Sequence, residues 1–209
     1  MLITKEDIKK KLSETLPGID SHLKMAPPQR AVALKGGLDQ KSNAKKSAVM
    51  MLFFVDNAEL HMIVIRRSNY VGIHAGQIAF PGGRYEEEDG DVEVTAFREI
   101  EEEIGITHDK IELLGRLSDI YVQPSNFLIS IFVGFLNEKP VYHRQEREVA
   151  EVIEIPFREF FDENVIKYKD FYVGSLKASA NAPYFDVANV EIWGASAMVI
   201  HEFLDIIQK

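Results

Sequence analysis

Two stretches of nearly unbroken apolarity, AVMMLFFV (48–55) and LHMIVIRR (60–67), are separated only by Asp56, Asn57, Ala58 and Glu59. Short runs rich in β-branched and aromatic residues, joined by so brief a polar break, predict a β-hairpin. A strand with one wet face alternates polar and apolar positions, so the lack of alternation here predicts burial on both sides. Nearer the N-terminus, Thr4 and Asp7 form a weak capping box, and Ile8, Leu12 and Leu16 recur at helical spacing up to Pro17, predicting a short helix. Residues 21–47 carry Pro27, Pro28, Gly36 and Gly37 among scattered lysines and predict an irregular arm laid on the domain surface.

Downstream, the pattern predicts a loop over 68–91, a charged helix over about 92–104, and strands near 111–122, 127–136 and 149–155. A short helical turn at PFREFF (156–161), a strand over 165–173 and an amphipathic helix over 192–207 follow. Strands mixed with helices around a doubly apolar central pair predict an α/β sandwich, a sheet covered on both faces. With 209 residues and 46% hydrophobic content, one domain is expected, with an N-terminal helix and arm (about 1–46) packed on it.

The helix carrying REIEEEIGI (98–106) is anomalous, with four glutamates in five positions. Like charges three or four residues apart weaken a helix by roughly 0.2–0.5 kcal/mol per pair, so something should compensate. At about 100° per residue, Glu102 and Glu103 fall within roughly 60° of Glu99, one on each side. Glu101 points elsewhere, and Phe97, Ile100 and Ile104 make a separate apolar stripe by which the helix docks. A carboxylate face beside a docking face suits a hard cation such as Mg²⁺, which bridges a few carboxylates to substrate phosphates. The alternative is a solvated glutamate-rich face. A calcium loop of the EF-hand type fails, because aligning its glycine on Gly90 puts Tyr85 and Ala96 where carboxylates are required. Just upstream, FPGG (80–83) supplies Gly82 and Gly83, which let backbone approach a metal or phosphate closely.

Charge narrows the partners. A formal net charge of -9 disfavours nucleic acid and anionic membrane, so an anionic substrate must be met by local cations. The absence of cysteine excludes disulfides, thiolate zinc sites and a cysteine nucleophile. No signal-like stretch opens the chain and no run is long enough to span a bilayer, so a cytoplasmic protein is expected.

The whole segment GGRYEEEDGDVEVTAFREIEEEIGI (82–106) closely resembles the Nudix box of Nudix hydrolases, GX5EX7REUXEEXGU with U aliphatic. REIEEEIGI meets the second half at every specified position. In the first half, strict spacing would need glycine at Arg84 and glutamate at Gly90. The loop here is one residue longer, with Gly83 as the box glycine and Asp89 standing in for its acidic residue. The resemblance implies a Nudix-like α/β/α sandwich with a mixed sheet. It also implies Glu99, Glu102 and Glu103 as ligands of Mg²⁺ or Mn²⁺, the Gly82 carbonyl as a further ligand, and Arg98 orienting a catalytic glutamate by ion pairing.

RRSNYVGIHAGQIAFPGG (66–83) is similar to the motif of the coenzyme A pyrophosphatase subgroup at Arg67, Ser68, His74, Gly76, Gln77 and Phe80 to Gly83. HLKMAPPQR (22–30) and IWGASAMVI (192–200) resemble the same subgroup. One arginine of that motif falls at Gly72, leaving Arg66 or a lysine of the N-terminal arm as its replacement. Arg67, whose planar fork matches phosphate oxygens, Ser68, Gln77 and His74 are the candidate substrate contacts, and His74 and Gln77 also have plain structural readings. Glu148, in EREVAEV, is the candidate general base, and Trp193 is expected to pack in the core. The activity implied is metal-dependent hydrolysis of coenzyme A or its derivatives to 4'-phosphopantetheine and adenosine 3',5'-bisphosphate. The alternatives are another small nucleotide substrate (ADP-ribose, a nucleotide sugar or a nucleoside triphosphate) or a non-catalytic nucleotide sensor. A homodimer follows from family habit only.

Overall fold

The computed structural model describes residues 3–35, 43–68, 75–173 and 178–208. The chain enters through helix α1 (Lys5–Leu12), whose capping box is complete: the Asp7 N–H donates to Thr4 Oγ1 (3.1 Å) and the Thr4 N–H to Asp7 Oδ2 (3.0 Å). The helix stops short of Leu16 because both the N–H and the hydroxyl of Ser13 turn back onto the Lys10 carbonyl. The described part of the following arm, up to Lys35, is not irregular. It folds into α2 (Ile19–His22), a 3₁₀ turn over Leu23–Met25 and α3 (Pro28–Lys35). Its prolines mark a helix start, since Pro28 takes the first position of α3, where a missing N–H costs nothing.

Strands β1 (Lys45–Asp56) and β2 (Glu59–Arg67) form the expected hairpin. Asn57 and Ala58 both take positive φ (50° and 61°), the geometry of a two-residue turn whose twist matches its strands. After them come β3 (Ile78–Ala79), β4 (Gly82–Arg84), helix α4 (Val92–Ile104), β5 (Ile111–Arg116), β6 (Ile120–Val122), β7 (Phe127–Leu136) and β8 (Val149–Pro156). These strands build one eight-stranded sheet along the path β3-β2-β1-β7-β5, with β4 beside β1, β6 beside β7 and β8 beside β2. The β1–β7 pair is parallel and the other pairs are antiparallel, so the sheet is mixed. The single strand expected near 111–122 is broken into β5 and β6 by Leu117–Asp119.

Burial on both faces of β1 is real. Met50, Leu52 and Phe54 pack with Ala96, Ile100 and Ile104 of α4, while Met51 and Phe53 face the opposite core. That second core contains Ile8 and Leu12 of α1, Met25 and Leu34 of the arm, and Phe203 of α5 (Gly194–Ile207). A three-stranded antiparallel sheet completes this side: β9 (Ile166–Val173), β10 (Ala178–Val187) and β11 (Val190–Trp193), in the order β11-β10-β9. No strand was expected over 178–187, because Pro183 and a run of small residues argue against one. The strand tolerates Pro183 because β11 pairs with β10 only over Tyr184–Val187, so at the proline one edge has no neighbouring strand to bond. Residues 192 and 193, expected to open the last helix, end β11 instead.

A buried polar knot ties α5 to the arm. Glu202 is fully buried; it accepts from Ser118 Oγ (2.6 Å) and the Gly18 N–H (3.1 Å) and pairs with His22 Nε2 (2.9 Å). Burial pushes the Glu202 carboxyl up, but the donors from His22, Ser118 and Gly18 outweigh it and hold the group below its ordinary value of 4.5. The stability this knot contributes is therefore present above pH 4.5 and is lost as pH falls through the depressed value. Replacing His22 by alanine should lower the unfolding free energy by roughly 2–3 kcal/mol, less than the about 3–5 kcal/mol of stripping a lone buried pair, because Ser118 and Gly18 still donate. Urea unfolding at neutral pH checks this, and an unchanged midpoint would show that the knot contributes nothing.

Candidate active site

Helix α4 begins at Asp91, whose side chain accepts the Glu93 N–H (2.8 Å), and ends at Gly105 in the left-handed conformation (φ 74°). The last carbonyls of a helix lack partners within it. Here the following loop supplies them: the His143 N–H donates to the Ile104 carbonyl and the Gln145 N–H to the Glu103 carbonyl, both at 2.9 Å. The Gln145 carbonyl then accepts the N–H groups of Glu148 (3.0 Å) and Val149 (2.8 Å), closing a turn. Ser68, just past β2, braces that turn, donating its N–H to the Glu148 carbonyl (2.8 Å) and its hydroxyl to the Glu146 carbonyl (2.9 Å).

The consequence is a carboxylate cluster drawn from two segments. One oxygen each of Glu99, Glu103 and Glu148 lies within 4.8 Å of the others. Glu99 and Glu103 are one helical turn apart, as the spacing implied. Glu102 stands outside the cluster, 58% exposed, and accepts from Arg98 Nη1 (3.1 Å). Glu103 is 1% exposed, with Oε2 accepting the Gly82 N–H (2.8 Å) and Oε1 lying 3.7 Å from Arg67 Nη1. Burial pushes its carboxyl from 4.5 up to about 8, against the pull of the Gly82 N–H and Arg67; Glu99 and Glu148 add to the rise. Burial also raises Glu99, opposed by Arg98. Glu99 and Glu103, desolvated and reluctant to ionise, converge with Glu148 into the kind of oxygen donor set that a hard divalent cation satisfies.

Glycines make room for this cluster. A side chain at Gly83 would put its Cβ 2.3 Å from the Glu99 carboxyl carbon, and one at Gly82 (φ 143°) would strike the Ala48 carbonyl at 2.3 Å. Arg98 uses all three guanidinium nitrogens. Nε and Nη2 hold the two oxygens of Asp89 (2.8 and 3.1 Å), Nη2 also reaches the Arg84 carbonyl (3.0 Å), and Nη1 spans Glu99 (3.0 Å) and Glu102. Asp89 further accepts from Thr95 Oγ1 (2.8 Å) and the Glu86 N–H (3.0 Å). The guanidinium beside it holds the Asp89 carboxyl far below the usual carboxylate range.

Against the cluster opens a cleft of about 480 Å³, which Gly82 and Gly83 line. Its charged lining consists of Arg30, Arg67 and Arg84, with no Asp or Glu among the described lining residues. Gln77 also lines it, and its carbonyl accepts the Arg67 N–H (3.0 Å). Ser68 lies outside this lining, as does Arg66, which donates to Glu151 (3.1 Å). Neither Arg66 nor any described lysine of the arm is among the residues that line this cleft. The arm contributes Pro27, Gln29 and Arg30 to the wall, and the charged one, Arg30 of α3, donates to the Tyr121 carbonyl. Its only sequence signal was the segment PPQR. His74 and Gly72 fall outside the described residues. Trp193 is half-buried: it packs against the small cluster of Phe171, Ala182 and Tyr184 rather than inside the main core, and it also lines the cleft.

A family model described as NUDIX domain matches residues 44–174. Among curated proteins, the chain is 31% identical over 168 residues to the uncharacterized Nudix hydrolase NudL of Photorhabdus laumondii, covering 80% of this chain and 88% of that one. It is also 31% identical over 153 residues to the protein of the same name from Yersinia enterocolitica, covering 73% and 77%. Among solved structures, the MutT protein of Methanosarcina mazei Go1 superposes with a TM-score of 0.51 at 15% identity, covering 81% of this chain and 96% of that one. A MutT/nudix family protein of Enterococcus faecalis gives 0.50 at 14%, covering 90% and 70%. At such identities the structures bear on fold alone, and they share its mixed sheet and helices. Among the described residues no helix is long and apolar enough to cross a membrane. From the matched domain and from relatives aligned over most of their length, the chain belongs to the NUDIX domain family and is a Nudix hydrolase.

Proposed function

We propose that this hydrolase cleaves the phosphoanhydride of coenzyme A or its derivatives, releasing 4'-phosphopantetheine and adenosine 3',5'-bisphosphate. The observation that carries the reading is the position of Arg67. This residue of the subgroup motif lies on the cleft wall and 3.7 Å from Glu103, so one guanidinium faces both a substrate phosphate and the carboxylate cluster. A cleft whose charged lining is arginine, with no acidic residue among the described lining residues, suits a polyanion even in a protein of net charge -9. Gly72 keeps a second reading in view, a Nudix hydrolase of ADP-ribose or a nucleotide sugar, because the motif's arginine is missing there. A pure nucleotide sensor has no use for three carboxylates converging beside the cleft.

Glu99, Glu103 and Glu148 would hold Mg²⁺ or Mn²⁺, with the Gly82 carbonyl and Glu102 as further ligands. Such an ion lowers the pKa of water and neutralises charge on phosphoanhydride oxygens. Arg98, anchored by Asp89, fixes the rotamer of Glu99 from behind. Glu148, the exposed member of the cluster, is our candidate to take the proton of the attacking water, in place of or in addition to a ligand role. Arg67 holds the phosphate against the cluster.

Incubation with coenzyme A, ADP-ribose and a nucleotide-sugar panel, in Mg²⁺ or Mn²⁺, should release 4'-phosphopantetheine ahead of any other product. Glu103→Gln should lower kcat/KM on the order of 10²–10³-fold, and Glu102→Gln distinctly less, since Glu102 stands off the cluster. Preference for another panel member would remove the coenzyme A assignment and leave the metal chemistry standing.

The raised Glu103 carboxyl has a second consequence. Without metal, its protonated form stabilises the fold: that contribution is complete below pH 4.5 and is lost as pH rises through about 8. Divalent-ion affinity runs the opposite way, because the ion competes with that proton. Calorimetry should show affinity climbing by close to a factor of about ten per pH unit up to about 8 and then flattening, with proton release on binding. A flat profile, or one unchanged in Glu103→Gln, would show that Glu103 is not the proton-linked ligand.

A further inference from the structure

Trp193 is the last residue of β11, where it pairs with Tyr184 of β10. Alternation along the strand sends its neighbour Ile192 into the main core and turns Trp193 to the other face of the small sheet. There it stacks on Phe171, with ring centroids 4.4 Å apart and planes 12° from parallel. Phe171 is only 8% exposed, and it meets Tyr184 edge-on at 5.6 Å and 80°. The Lys169 ammonium lies 4.9 Å from the Phe171 ring centre and 5.4 Å from that of Tyr184. Of these stacked groups, only Trp193 lines the cleft. The stack is thus a braced platform whose indole is the ring offered to a ligand.

The platform is tied to the carboxylate end. Immediately after Trp193 the chain turns at Gly194 (φ 64°) into α5, where Ser196 Oγ donates to the Ile78 carbonyl of β3 (3.1 Å). Ile78 belongs to the segment that runs directly into Gly82 and Gly83, so one backbone frame sets both the indole and the glycine pair. The rest of the apolar wall carries aliphatic side chains, including Ile120, Val122, Ile129 and Ile131, and the rings of Phe80, Tyr121, Phe127 and Tyr172, none of which is backed by another ring among the described residues as Trp193 is. An aliphatic wall accepts a flexible chain without preference for a flat face, whereas a supported indole selects a π-system.

We propose that Trp193 is a specificity-determining residue that stacks on the nucleobase of the substrate, so that the nucleotide half lies against the three-stranded sheet and the other half along the aliphatic wall. This rests on the reading of the substrate as a nucleoside diphosphate derivative. Trp193 is the sole tryptophan of the chain, so its emission reports on this one position.

The test titrates the unmodified, metal-free protein with adenosine 3',5'-bisphosphate, ADP and 4'-phosphopantetheine in separate experiments, following tryptophan fluorescence. Both nucleotides should quench saturably, and 4'-phosphopantetheine should not. In steady-state assays on whichever panel substrate turns over best, Trp193→Leu should raise KM about tenfold with kcat changed less than about two-fold, while Trp193→Phe should stay close to the parent. Quenching by 4'-phosphopantetheine alone, or an unaltered KM in a folded Trp193→Leu variant, overturns the proposal. The titration needs no variant, so it decides the matter even if Trp193→Leu fails to fold. If coenzyme A is left intact while ADP-ribose is cleaved and ADP still quenches, the coenzyme A reading fails and the role of Trp193 stands.

Discussion

The Gly82 N–H donates to the carboxylate of Glu103 across 2.8 Å, inside the protein, and most of the site depends on that contact. It joins the glutamate helix to the central sheet at a point where no side chain fits between them. Gly82 is available because one edge of β1 is shared: β2 occupies it over Leu52–Asp56 and β4 over Ser47–Val49. The two neighbours divide the edge, and the segment between them delivers the glycine pair beside α4. A side chain at either glycine would collide, at Gly82 with β1 and at Gly83 with Glu99. Sheet topology and carboxylate geometry are therefore one constraint seen from two sides.

The same contact explains how an acidic helix is tolerated. Desolvation of a carboxylate is expensive unless hydrogen bonds or opposite charge replace the lost water. Glu103 has one backbone donor and a distant guanidinium, which is too little to keep it readily ionised, and its carboxyl rises to about 8. Around it the molecule separates its charges. Arg98 gathers Asp89, Glu99 and Glu102, while the described lining of the neighbouring cleft presents arginines and no carboxylate. Overall net charge thus says little about the local field a substrate meets.

Much of this was legible in the chain. The hairpin followed from two apolar runs around four polar residues, the first helix from a capping box, and the shared side of Glu99 and Glu103 from helical geometry alone. What was not legible depended on non-local partners. A helical wheel groups Glu102 with its neighbours because it cannot see that Arg98 draws that side chain aside. Sequence brought Glu148 forward as a base, but its place beside Glu99 and Glu103 comes from the 143–148 loop lacing onto the carbonyls that end α4. β10 was hidden because a proline usually forbids a strand between two neighbours, and only the short reach of β11 lifts that objection. Arg30 and Trp193 lie far apart in sequence, on α3 and β11, and only the packing of the arm and the small sheet against the main sheet makes them walls of one cleft.

The extra residue in the loop before α4 shows how such a site absorbs change. One more residue between the glycine pair and Arg98 shifts every acidic side chain of the loop out of the strict register. The loop contains a 3₁₀ turn over Glu87–Asp89, closed by the Glu86 N–H on the Asp89 carboxylate. That turn lets a shorter acid than the motif's glutamate meet Arg98 through both carboxylate oxygens. The bidentate geometry fixes the guanidinium plane, and with it the orientation of Nη1 toward Glu99. The position of the Asp89 charge, rather than the spacing of the loop, is what links it through Arg98 to Glu99.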